Sequence, residues 1–120
     1  AWNASQEAVR AIHAAMPLLA RAKRLIVLRG EPREQFSEIG WRPEFDIARY
    51  FAREDLAIEL HAFATDGEDA GVKLLEAALM HGADLLVMGA YGRTRFSEWM
   101  FGGATRHVLG AAHLPIFMRH

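Results

Sequence analysis

Residues 84–92 read Asp84-Leu85-Leu86-Val87-Met88-Gly89-Ala90-Tyr91-Gly92. Four consecutive apolar residues end there on a glycine. A short run that is apolar at every position suits a strand buried on both faces, as in a parallel sheet. Leu25-Ile26-Val27-Leu28, closed by Gly30, repeats the pattern. Leu56 to Phe63 alternates only in part and reads as a strand nearer an edge. Pro115-Ile116-Phe117-Met118 is a last short strand.

Helical patterns fill the spaces between these runs. From Ala4 to about Ala22, apolar residues recur at three- and four-residue steps, with Asn3 placed as an N-cap and Gln6 three residues on. Pro17 falls late in that helix and should kink it. A second helix is expected from Glu44 to Arg53, and a third from a cap at Asp66-Gly67 to His81, stopped by Gly82. The fourth covers Thr105 to Ala112. Residues 30–43, broken by Gly30, Pro32, Gly40 and Pro43, read as a loop. Strict alternation of helix and strand implies an α/β domain of three layers, an open parallel sheet with helices on both faces.

The chain has 120 residues, which suits a single domain over 1–120. With 14 Lys and Arg against 15 Asp and Glu, it lacks the basic excess that nucleic acid or an anionic membrane surface selects. There is no apolar run of bilayer length and no signal-peptide pattern at the start, so a cytoplasmic setting is expected. Cysteine is absent, which removes thiol catalysis, zinc-thiolate sites and disulfides together.

Chemistry concentrates between Met88 and Thr105. Gly89 follows a buried strand, Gly92 comes three residues later, and Gly102-Gly103 opens a helix. Glycine lets backbone N–H groups approach a ligand, and a helix N-terminus adds unpaired donors and partial positive charge, so the segment suits an anion. A tight turn followed by a closely packed helix would use the same residues. No Lys-Ser or Lys-Thr makes it a Walker A loop, and the spacing is wrong for the dinucleotide fingerprint.

Gly89-x2-Gly92-x9-Gly102, preceded by Asp84-Leu85-Leu86-Val87-Met88 and followed by Thr105-Arg106-His107-Val108-Leu109, resembles the universal stress protein family. The likeness runs forward through Pro115 and back to Ala1-Trp2-Asn3-Ala4-Ser5, with residues 30–55 its weakest part. The opening and the Gly103-to-His107 run look most like the C-terminal half of a tandem, two-domain member. The resemblance implies strand order 3-2-1-4-5, with the first strand truncated before Ala1 and the chain a fragment lacking it.

It also implies an adenine-nucleotide-responsive module of the stress response that binds ATP or AMP. Met88, Gly89 and Gly92 would lie beside ribose and phosphates, and Gly102, Gly103, Ala104 and Thr105 would hold the phosphates. Asn3 stands where ATP-binding members carry Asp, and it has a second role open to it as a helix cap. Gly103 stands where a Ser or Thr hydroxyl usually meets phosphate; losing one hydrogen bond to a charged group costs ~1.5–3 kcal/mol.

No strong catalytic site is read. Ser97 has no nucleophile-elbow context, so weak ATP hydrolysis is the most that is expected. His107 and His113 are six residues apart, with no carboxylate at ligand spacing, so no metal site is expected beyond nucleotide-bound Mg. Family members pair the last strand with a second copy, which implies a homodimer or a sister-domain contact through Ile116, Phe117 and Met118. Two rivals stay open. One is a nucleotide-free dimerisation module; the other is an ATP-pyrophosphatase-like relative, whose Ser-Gly-Gly loop this chain lacks.

Overall fold

The first helix begins later than its apolar stripe suggests, because the residues before it are drawn into the sheet. In the computed structural model, which describes residues 1–30, 45–64, 68–90 and 103–120, the Trp2 N–H donates to the Leu28 carbonyl at 2.8 Å. Trp2 thereby bridges Arg29 in the parallel sense. Asn3 therefore does not cap the helix. Its Oδ1 accepts from the Ser5 N–H at 3.2 Å, Ala4 turns the chain at φ 57°, and Ser5 becomes the cap by accepting from Ala8 N–H. Helix α1 then spans Gln6–Leu19 and ends two residues after Pro17.

The remaining elements follow the expected alternation. They are β1 (Ile26–Gly30), α2 (Ile47–Arg53), β2 (Glu59–Phe63), α3 (Ala70–Met80), β3 (Leu86–Gly89), α4 (Gly103–Ala111) and β4 (Ile116–Arg119). Asp46 caps α2 by accepting from Arg49 N–H. Asp69 caps α3, so the cap expected at Asp66-Gly67 falls elsewhere. Gly82 ends α3 in the left-handed region, φ 65°, where glycine carries no Cβ penalty. The loop expected over 30–43 lies, beyond Gly30, outside the described residues.

Two parallel ladders form. β1 pairs with β2 from Ile26↔Glu59 to Gly30↔Phe63. β3 pairs with β4 from Leu86↔Ile116 to Gly89↔Arg119. Among the described residues, the expected single sheet of five strands is thus present as two sheets of two. Ala1 and Trp2 lie between them: while Trp2 bonds to β1, the Ala1 amino group donates to the Val87 carbonyl of β3 at 2.6 Å.

Each face of these ladders buries its own apolar cluster. Leu28, Leu86 and Met88 pack with Leu74, Ala77 and Ala78 of α3 and Val108 of α4. On the other face Trp2 and Val27 pack with Ala8 and Ile12 of α1 and with Ile47 and Phe51 of α2. Alternation within a strand sends neighbours to opposite sides, which is why Val27 and Leu28 join different clusters. A cavity of about 50 Å3 remains on the second face, bordered by Ala1, Leu25, Val27, Val87, Ile12 and Phe51. No described helix is long and apolar enough to cross a membrane.

Candidate functional site

In a parallel α/β arrangement every helix starts at the carboxyl end of the strand before it, so that end collects the helix N-termini. Two groups of residues meet there. The first joins β3 to α1. Gly89 closes β3, and a Cβ built on it would stand 2.6 Å from both Ala8 N and Glu7 C. Its glycine character is thus used by the close passage of α1's first turn. Asn3 lies in the same region and is exposed.

The second group joins α3 to α4. Gly103 is the first residue of α4 and is exposed; Ala104 is half-buried and Thr105 is buried, 5% exposed. A Cβ on Gly71 would meet the Ala104 carbonyl oxygen at 2.8 Å and Ala104 Cα at 2.9 Å. The two helices therefore touch at their first turns. Asp69 stands at this contact. Its Oδ1 accepts from Gly71 N–H at 2.7 Å, while its Oδ2 lies 3.2 Å from where a Cβ of residue 103 would be. Neither Asp69 nor Gly71 was legible as a site residue. Asp-x-Gly at a helix start was the available signal, but nothing in it points to α4.

Of the expected site residues, Asn3, Met88, Gly89, Gly103, Ala104 and Thr105 are described, and Gly92 and Gly102 lie outside the described residues. Met88 is buried in the α3/α4 cluster and lies opposite Met118 in the β3/β4 ladder, so its side chain is not presented to a ligand. Ala90 follows β3, buried, with its N–H donating to the Arg119 carbonyl at 3.0 Å. The N–H groups of an α-helix's first turn have no intrahelical acceptor. In α4 these belong to Gly103, Ala104 and Thr105, which fits a phosphate-bearing ligand; Asp69 is a carboxylate that such a ligand must tolerate.

A further set of charged groups lies at the opposite end of the strands. Arg24 donates to both carboxylate oxygens of Glu59, each at 2.7 Å, and His61 stands 3.3 Å from Glu59. The Arg24 and then the His61 hydrogen bonds pull the Glu59 carboxyl down to about 2. The His61 and His81 rings are 4.2 Å apart. Among the described residues, no group of three His, Asp or Glu side chains is placed to hold a metal ion.

The model of the universal stress protein family matches residues 2–119. No curated protein and no solved structure matched the chain. A match over nearly the whole length, on a chain of alternating helices and parallel strands, shows that this chain belongs to the universal stress protein family.

Proposed function

We propose that this domain is an adenine-nucleotide-responsive module, taking AMP or ATP, with Mg2+ carried by the nucleotide. Membership of the universal stress protein family is the observation that carries the reading. The first turn of α4, which starts at the exposed Gly103, supports it. Gly89, Gly92, Gly102, Gly103, Ala104 and Thr105 would serve the phosphates and ribose through their backbone, and Asn3 would approach the nucleoside from the start of α1. The residues named offer backbone N–H donors and the polar side chains of Asn3 and Thr105, and binding is the output this reading assigns them. Titration with AMP and ATP, followed amide by amide, tests it.

The reading extends to the sheet. Order β2-β1-(Ala1–Trp2)-β3-β4 would make the two ladders halves of one sheet of order 3-2-1-4-5, with Ala1 and Trp2 in its central place. The bonds from Trp2 to Leu28 and from Ala1 to Val87 support it. Ligand binding at the carboxyl ends beside that central segment is what open α/β sheets favour. On this arrangement 1–120 is one domain.

The same reading gives β4 a partner, a second copy or a sister domain. β4 reaches β3 through the Pro115 and Arg119 carbonyls, which bond Leu86 and Ala90. Alternation then turns Phe117 inward and leaves the backbone groups of Ile116 and Met118 for the outer edge. Their side chains, with Phe117, are half-buried. Met118→Pro should remove an outward donor and dissociate the pair in sedimentation. A wild-type chain that stays monomeric at high micromolar concentration would refute the dimer.

A further inference from the structure

The α4 N-terminus has a carboxylate built against it, and we propose that Asp69 makes the nucleotide site select against phosphate charge. The inference rests on the nucleotide reading above and names a specificity residue for it. Asp69 is exposed and its side chain is held by its cap. Its Oδ1 caps α3 through the Gly71 N–H at 2.7 Å, and the closeness of Gly71 to the Ala104 backbone fixes where that cap sits relative to α4. Oδ2 is thereby presented to Gly103, the first residue of α4. The side chain cannot swing away without giving up the cap.

The lysine of the same helix does not offset this charge. Lys73 is engaged by Glu68 at 3.2 Å and Glu76 at 3.1 Å. A helix N-terminus carries about half a positive charge, and a full negative charge beside it cancels the attraction that phosphate would feel. The penalty grows with each phosphate, so AMP is admitted more readily than metal-free ATP. Gly103 fits the same account: a serine there would bring its Cβ to 3.2 Å from Oδ2, tighter than ordinary contact. The missing hydroxyl and the added carboxylate are two sides of one contact.

Asp69→Asn tests this, because asparagine caps a helix as well as aspartate and removes only the charge. Adenosine, AMP and ATP are titrated by calorimetry, in EDTA, into the full chain and the variant. ATP affinity should rise about tenfold in the variant, the scale of one surface charge pair. AMP should gain less and adenosine nothing, and the gains should shrink near 0.5 M salt, where screening is short-ranged. Equal gains for all three ligands, or none where the wild type binds, overturn the role of Asp69 and leave the nucleotide reading standing. If neither chain binds any of the three at millimolar concentration, the nucleotide reading falls and this inference with it.

Discussion

Replacing Gly89 with alanine is expected to lower stability by about 3 kcal/mol, the upper part of the range for forcing an extra methyl into packed structure. The added Cβ would stand 2.6 Å from Ala8 N and Glu7 C, and 2.8 Å from Glu7 Cβ. Two of these are backbone atoms, so no side-chain rotation relieves the clash and α1 itself must move. That helix buries Ala8, Ala11, Ile12 and Ala15, so its displacement opens a core layer as well. Gly110→Ala is the control: nothing lies within 4 Å of its Cβ position, and an open helical glycine gains from alanine by roughly 0.5–1 kcal/mol. Urea denaturation of the three chains reads both effects. An unchanged midpoint for Gly89→Ala would show that α1 does not pass this close. The result bears on function too, since lost binding in a Gly89 variant would report a displaced helix as readily as a lost ligand contact.

A polypeptide whose first residue is Ala1 is expected to lose stability steadily between pH 8 and pH 5. Burial pushes the Ala1 α-amino group down from 8.0 to about 5, since a charged amine is costly away from water. In the unfolded chain it titrates at its ordinary value. Between the two values the unfolded state therefore holds the extra proton, and stability rises with pH. It is fully present above pH 8, falls as pH drops toward 5, and changes no further below that. Three pH units at 1.36 kcal/mol each set a ceiling of about 4 kcal/mol. The comparison is with the same chain acetylated at Ala1, which changes that one group alone. Acetylation removes the titration and keeps one N–H for the Val87 carbonyl, and the cavity of about 50 Å3 beside Ala1 offers space. The stability gap between the two chains should widen from pH 8 to 5. Parallel curves would mean that the amine is hydrated in the folded state.

Apolar periodicity was enough to read the alternation of elements, because each buried strand leaves an apolar run and each helix a stripe. Leu86 to Met88 and Ile26 to Leu28 lie where such runs place them. Helix starts were not legible to the residue, for a physical reason. Asn3, Ser5, Asp66 and Asp69 are all competent caps, and tertiary contacts choose among them. Trp2's bond to Leu28 takes Asn3 out of the running, and Gly71's approach to Ala104 goes with a cap at Asp69. β2 starts only at Glu59, although apolar residues begin at Leu56, because its partner strand begins at Ile26. The glycines of the candidate site were visible as a pattern. The use of Gly89 against α1, and of Gly71 against α4, depends on residues far away in the chain and leaves no local signal.

Nucleotide binding at the shared end of β3 and α4 is tested most directly by following backbone amides in NMR as AMP is added to the whole chain. Saturable shifts are expected at Gly89, Gly103, Ala104 and Thr105 and at Asn3. Little change is expected at Arg24, Glu59 and His81, at the other end of the strands. Shifts centred on that other end, or none at millimolar AMP and ATP, would contradict it.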